Sequence, residues 1–528
     1  MNVLLILFSI FQLSISYNYL VFCPLFGHSH TTYFAKIADT LTDAGHNVTF
    51  FTPVVIKKYA KINYVSSTKN VIHLEPSKQL EEYGNLLDNQ EFRRFWRVDS
   101  SMSEMFPMFE LFNKMLLELA KVLGENLELL DKLKAMKFDV MIYESCVESA
   151  YPLLDYLKVK AHIPSTTMTY DPNLVNSIGE SRMPSAVPLP MSKFTDKMTM
   201  VERFANAVAP PIFNLFLSKN EFKSFRAPFD TIDIPLQESL SSFIFTNSNP
   251  YLDYPRPTLE KNVQIGGISV DVEKLRSQKV NEEWDAILNL RSKTVLVSFG
   301  SIMLSKDMPL ENKKALSSAM EKFPDVTFIW KYESNDTDSF ANGIKNIHFS
   351  KWVPQTALLA DARLSAFFTH AGMGSINEVS YLGKPAIICP LLADQMRNAK
   401  MLARHNGSIE ISKYDLHDTK HIESILRKVL YDESYRNAAE NLARQLANQP
   451  VKPKESLVKH SVFAAQFRRL PYLDPYSRQM SFVEYFLLDI AAILLFSLLL
   501  ITFTVFQITK RLINSLPFTL SSDKQKTN

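Results

Sequence analysis

The chain has 528 residues, too many for one hydrophobic core, so two or three domains are expected. Hydrophobic residues make up 46% and charged residues 21%, the proportions of a folded globular protein, which excludes a largely disordered chain. A net charge of +3, with no basic run longer than two residues in the folded body, leaves no footprint for nucleic acid. The cysteines Cys23, Cys146 and Cys389 are too few and too far apart for a disulfide framework or a cysteine zinc site, and read as buried free thiols.

Residues 1–16 are apolar nearly throughout and end in small residues, which predicts a signal peptide with the mature chain starting near Tyr17. A first domain is predicted over 17–268. It opens with a strand at 19–23, a loop containing His28 and His30, and a helix whose apolar residues Phe34, Ile37, Ala38 and Leu41 recur at helical spacing. Gly45 ends that helix and a second strand begins at 48, so the domain is expected to be doubly wound. Residues 92–130 read as helical, rich in Phe, Met and Leu, with core and pocket lining favoured over a membrane-facing helix. A buried strand at 138–143 delivers Glu144 to its carboxyl end, whereas 163–257, richer in proline, reads as loops and short helices. Ile265-Gly266-Gly267-Ile268 and the charged residues to 283 are the expected linker.

A second domain is predicted over 284–450, with strands at 295–299, 326–332, 347–352, 366–369 and 386–389 alternating with helices, the pattern of an open parallel sheet. Pro450 and Pro453 mark a break before a last helical segment at 451–470. Residues 490–508 carry no charge, enough for one membrane-spanning helix, and Lys510 and Arg511 directly after it assign the tail 509–528 to the cytoplasm. Lys524 and Lys526 resemble a dilysine retrieval signal of the endoplasmic reticulum, and sequons at Asn47, Asn335 and Asn406 fit a lumenal body.

The densest chemistry lies between Trp352 and Gln395. Apolar strands at 366–369 and 386–389 flank a helix ending at Gly383, a unit that binds ligands at its carboxyl edge. Gly372 and Gly374 allow close backbone approach, Ser375 and Glu378 read as a capping box, and a helix start on such a loop suits a phosphate. His370 adds a donor, Trp352 a flat face for a base, and Asp394 and Gln395 an acceptor and an amide for sugar hydroxyls.

In order and spacing, Trp352, Gln355, His370, Gly372, Ser375, Glu378, Pro390, Asp394 and Gln395 resemble the nucleotide-sugar signature of the UDP-glycosyltransferases, most closely the membrane-bound UDP-glucuronosyltransferases of animals. Two departures stand out: Ala371 where many members carry Gly, and Gly374 where many carry Asn. The resemblance implies an α/β chain of the GT-B fold, two facing Rossmann-like domains with parallel sheets plus a C-terminal transmembrane helix. The first domain takes a small lipophilic acceptor and the second UDP-glucuronate or UDP-glucose. Segment 451–470 crosses back over the first domain. Ser301, after Phe299-Gly300, becomes a candidate phosphate donor, with a plain turn as its other reading.

The resemblance also assigns His30 as the base and Glu144, where many members carry Asp, as the carboxylate that orients it. The other readings are His28 as the base, His30 as a mere turn cap, and Glu144 as a solvated strand end. Direct attack implies inversion, an α-linked donor giving a β-glycoside. Neither a cofactor nor a metal is expected, the UDP-sugar being a co-substrate, and Asp336-Thr337-Asp338 reads as a solvated loop. Arg256 is weighed as a donor-side cation against a surface turn. A UDP-glucosyltransferase and a non-catalytic membrane binding protein of the same fold are the rival functions, with homo- or hetero-oligomerisation left open.

Overall fold

The structure, a computed structural model, describes residues 16–217, 231–277 and 279–515. The expected signal peptide, apart from its last residue, and the lysines at 524 and 526 lie outside them. The chain forms two compact units, a body through Leu473 and a C-terminal unit from Asp474.

The body begins with β1 (Asn18–Phe22), α1 (His28–Asp43), β2 (Asn47–Pro53) and β3 (Asn70–Leu74), followed by helix α2 (Met102–Glu125). β4 (Val140–Glu144), β5 (Ala161–Thr166), β6 (Ile244–Thr246) and β7 (Asn262–Gln264) complete a parallel sheet of order β3-β2-β1-β4-β5-β6-β7. Phe34, Ile37, Ala38 and Leu41 are buried, so the apolar stripe of α1 faces the sheet as its spacing requires. Strand order reverses direction between β1 and β4, where the connections leave to opposite sides and open a crevice at the carboxyl edge. Phe22 is in register with Tyr143 across this pair, so the start of α1 carrying His30 and the strand end carrying Glu144 emerge side by side.

The second half repeats the plan. β8 (Lys293–Ser298), β9 (Val326–Lys331), β10 (Ile347–Ser350), α3 (Gln355–Ala360), β11 (Leu364–Thr369), α4 (Met373–Leu382), β12 (Ala386–Ile388), α5 (Gln395–Ala403) and β13 (Ser408–Glu410) build a parallel sheet of order β10-β9-β8-β11-β12-β13. Its switch point lies between β8 and β11, where Ser298 is in register with Thr369. The turn Phe299-Gly300-Ser301 therefore leaves the sheet next to His370. After it, α6 (Pro453–Phe467) places Leu457, Ala464 and Ala465 in the apolar cluster that holds Phe34, Ile37 and Ile142 of the first sheet layer. Ser242 Oγ donates to Arg468 O at 2.7 Å where that helix ends.

Two expectations are corrected. Residues 92–130 are not one helix: a π turn at Leu87–Glu91 and a 3-10 turn at Arg93–Trp96 lead through 97–101 to α2, and Asn126 separates α2 from a helix at Leu127–Ala135. Met105, Met115, Leu116, Leu119, Val122 and Leu123 of α2 are buried, so its apolar content goes mainly to the core. The stretch 163–257 holds most of β5, all of β6 and an 18-residue helix at Met200–Leu217; strands of three residues are too short to show a period. Within the expected linker, Gly267, at φ +97°, lies against the Tyr381 ring, and Tyr381 OH donates to Gly266 O at 3.1 Å.

In the C-terminal unit, α7 (Leu488–Ser515) is a 28-residue helix containing an 18-residue window of mean hydropathy 2.4. By length and composition it can cross a membrane, and it continues past the expected end at 508 through Lys510 and Arg511.

Candidate active site

His30 sits in the first turn of α1, where Phe26 packs on its ring at 4.7 Å between centroids and Phe112 packs on Phe26 at 5.5 Å. Its Nδ1 lies 2.7 Å from Glu144 Oε2 and 3.1 Å from Thr167 Oγ1. Glu144 is 1% exposed, against 26% for the His30 side chain, so the carboxylate is interior and the ring reaches the crevice. A carboxylate only accepts, so Nδ1 carries the proton and Nε2 presents its lone pair. The reading of Glu144 as a solvated strand end is thereby overturned. Cys146 bonds the same carboxylate, and burial followed by the Glu144 charge holds its thiol well above the usual range. The ligand atoms of His30, Glu144 and Cys146 lie within 4.8 Å of one another, a set that hydrogen bonding accounts for without an ion.

His28 faces elsewhere. Its Nδ1 is 3.0 Å from Tyr64 OH and its ring stands edge-on to Trp352 at 6.3 Å. Burial, then the charges of Lys331 and Lys58, lower its pKa. The hydrogen-bonded carboxylate belongs to His30 and not to this rival.

Across the crevice, Trp352 is 62% exposed in the loop after β10. Gln355, in the first turn of α3, donates through Nε2 to Glu378 Oε2 at 2.6 Å and lies 3.1 Å from Ser375 Oγ. Thr356 donates to the other Glu378 oxygen. This corrects the capping box: α4 starts at Met373 with Gly372 as its cap residue, so Ser375 and Glu378 are already inside the helix. Glu378 instead ties α3 to α4, its pKa raised by burial and held back by Thr356 and Gln355.

The His370 ring is clasped by glycine backbone. A Cβ on Gly300 would stand 2.6 Å from His370 Cε1 and one on Gly372 2.7 Å from Nε2. Burial, helped by the Lys331 charge, pushes the His370 pKa down to about 4, and its Nδ1 is buried without a partner among the described residues. Ser301 is half-buried in the turn that Gly300, at φ +84°, makes possible. Gly374 is exposed with no atom within 4 Å of a Cβ placed there, so the side chain other members carry has room.

Asp394 precedes α5 and accepts from Asn398 Nδ2 at 2.8 Å; burial raises its pKa, and the nearby His30 counters this. The residue expected to hold sugar hydroxyls thus lies within electrostatic reach of the histidine from the opposite half. Gln395 spends its carbonyl oxygen on the backbone amides of Leu391 and Leu392, at 2.9 and 3.2 Å, leaving its amide group to donate.

Arg256 is not a donor-side cation. Its side chain is 2% exposed and pairs with Asp253 at 2.8 Å and Glu180 at 3.7 Å. Asp253 also takes Arg397 of α5 at 2.6 Å, and Arg397, fully buried, donates to Thr169 Oγ1 at 2.7 Å and to Pro188 O at 3.1 Å. Thr167, Lys331 and Arg397 are the residues that sequence reasoning missed. A lysine closing the apolar run Val326–Trp330 is the one visible signal; a threonine and an arginine in polar company carry none.

A family model described as "UDP-glucoronosyl and UDP-glucosyl transferase" matches residues 20–525. Human UDP-glucuronosyltransferase 1A6 is 26% identical over 91% of this chain and 88% of its own length, and human UDP-glucuronosyltransferase 1A1 is 26% identical over 78% and 76%. Among solved structures, Os79 from O. sativa in complex with U2F and trichothecene superposes with a TM-score of 0.58 at 15% identity, covering 85% of this chain and all of that one. At that identity the likeness speaks for the fold, two facing parallel sheets of GT-B type. The chain belongs to the UDP-glucuronosyl and UDP-glucosyl transferase family and is a glycosyltransferase.

Proposed function

We propose that the protein transfers glucuronic acid from UDP-glucuronate to a hydroxyl of a small lipophilic acceptor, giving a β-glucuronide by inversion. The observation that carries this is the 2.7 Å bond between His30 Nδ1 and a buried Glu144, which aims Nε2 at the crevice where a hydroxyl proton must go. As Nε2 takes that proton, Glu144 steadies the imidazolium while the acceptor oxygen attacks the anomeric carbon and UDP departs.

In this reading residues 17–268 bind the acceptor, with Phe26 and Phe112 as part of its apolar wall, and residues 284–450 bind the donor. Trp352 and Gln355 meet the base and Glu378 the ribose. His370, Ser301, Ser375 and the backbone at Gly372 and Gly374 hold the diphosphate, and Asp394 and Gln395 the sugar hydroxyls. The scheme needs no metal, because the leaving diphosphate is held by these donors. The exposed sequon asparagines Asn47, Asn335 and Asn406 and the apolar helix α7 support a glycosylated body in the lumen of the endoplasmic reticulum, anchored by a single span.

The test is a product assay on membranes from expressing cells, with a panel of phenols offered UDP-glucuronate or UDP-glucose and products identified by mass. Transfer from UDP-glucuronate is expected. Transfer from UDP-glucose alone keeps the chemistry and replaces the donor.

A further inference from the structure

The donor side of the crevice contains a buried lysine. Lys331 ends β9, and its side chain is 8% exposed. Its Nζ donates to Gly300 O at 2.6 Å and to Glu333 Oε1 at 3.2 Å, and lies 5.4 Å from the centre of the Trp352 ring. Gly300 is also the residue whose backbone packs on His370. The ammonium group therefore stands beside the turn of Gly300 and Ser301, within one side chain of both the flat indole and the buried imidazole. Its charge is felt by His370 on its own sheet and by His28 from the facing half, lowering the pKa of each.

A buried ammonium group is costly unless its donors are satisfied. Lys331 has three donors, with one strong acceptor in Gly300 O and a long, shared bond to Glu333, whose other oxygen accepts from the backbone amide of Lys306 at 3.2 Å. Other buried cations also bond to protein: Arg397 and Arg256 share Asp253, Lys413 donates to the carbonyls of Phe95, Val98 and Leu391, Lys313 to Lys306 O and Tyr332 OH, and Lys261 to Ser239 O. Lys331 differs in its place, beside the Gly300 turn, His370 and the Trp352 ring.

The geometry points to Lys331 as the cation that receives an anionic oxygen of the UDP-sugar, with Glu333 as the internal counter-ion it leaves when the donor arrives. This rests on the reading of the crevice as a UDP-sugar site. The oxygen belongs either to the diphosphate, as its place beside Gly300 and His370 favours, or to the carboxylate of a uronic acid. Lys331 is a binding residue in either case and takes no part in proton transfer.

The experiment measures binding of UDP, UDP-glucose and UDP-glucuronate to the full-length, detergent-solubilised protein by calorimetry, in wild type, Lys331→Met, Lys331→Arg and Glu333→Gln. Lys331→Met is expected to weaken all three ligands by roughly tenfold or more, with Lys331→Arg recovering most of the loss. Weakening confined to UDP-glucuronate also upholds the assignment and identifies the carboxylate as the source. Glu333→Gln, which keeps the shape and removes the competing charge, is expected to tighten binding several-fold, and it tests the idea even if Lys331→Met fails to fold. Unchanged affinities in Lys331→Met, or in Glu333→Gln, overturn it. A wild-type protein that binds none of the three overturns the donor-site reading itself.

Discussion

Two histidines in this crevice are set for opposite work by what touches them. His30 gives Nδ1 to a buried carboxylate and keeps Nε2 for the acceptor. His30→Ala is expected to lower turnover by on the order of 10³-fold or more while UDP binding stays within about twofold, measured by initial rates and calorimetry. An unchanged rate removes His30 from the mechanism. Glu144→Gln is expected to cost on the order of 10²–10⁴ in kcat, since an amide permits the wrong tautomer. His370 instead sits among glycines and is neutral down to about pH 4. Its unfolded value is near 6.5, so acid protonates the unfolded chain first. The stability this group contributes is full above about pH 6.5 and is lost as pH falls toward 4. A diphosphate beside the ring favours the imidazolium and raises the pKa, so UDP binding near pH 5.5 is expected to take up protons. Calorimetry in two buffers of different ionisation enthalpy reads that uptake, and its absence places the phosphate elsewhere.

At the scale of elements, the strand-to-helix turns hold the site. Ala371 has φ +68°, a conformation that costs an L-residue about 1–2 kcal/mol, and its methyl is fully buried. Ala371→Gly relieves that strain but loses the methyl, worth about 0.8 kcal/mol, and adds unfolded-chain freedom, so its effect should be near zero. Ala371→Val, β-branched at positive φ, should cost more than about 2 kcal/mol, as denaturant midpoints will show. Gly374→Asn has room and should leave stability within about 0.5 kcal/mol, whereas Gly300→Ala drives a methyl into His370 and should cost about 1–3 kcal/mol. Much of this architecture was legible in the residues. The helical spacing from Phe34 to Leu41 locates α1, and Gly383 marks the end of α4. The three-residue strands β6, β7 and β13 went unseen because so few positions show no alternation, and the Ser375–Glu378 spacing misled because α3 and not a helix end takes the carboxylate.

Across the whole body, the two halves are joined by a strap as well as by the linker. Trp96 Nε1 donates to Leu304 O at 3.0 Å, its ring packs on Phe299 at 5.0 Å, and Ser100 Oγ donates to Leu391 O at 2.7 Å. Lys413 grips the strap carbonyls of Phe95 and Val98 at 2.7 and 2.5 Å, and burial lowers its pKa to about 8. Lys413→Met leaves those carbonyls unpaired, and amide exchange over residues 95–101 should rise while the sheet cores stay protected. Protection unchanged along the strap would show that Lys413 does not hold it. Because the body through Leu473 is a compact unit of its own, a chain ending there should bind UDP and remain in solution, and sedimentation of that chain with membranes would argue for a second anchor.

What the sequence determined by itself is the local chemistry: a nucleotide-sugar signature of nine residues, two βαβ openings, and an uncharged stretch that α7 contains. Such features live in spacing along the chain, where turn and helix rules act over a few residues. Tertiary structure alone decided which partner each buried charge meets. Arg256 and Lys331 are both cations near prolines or apolar strands, yet one is bound by Asp253 and Glu180 and the other is held at Gly300 O and Glu333 beside Trp352. The pairing of His30 with Glu144 spans 114 residues and that of Arg397 with Asp253 spans 144. Only the crossing order of the sheets brings such distant groups within hydrogen-bond reach.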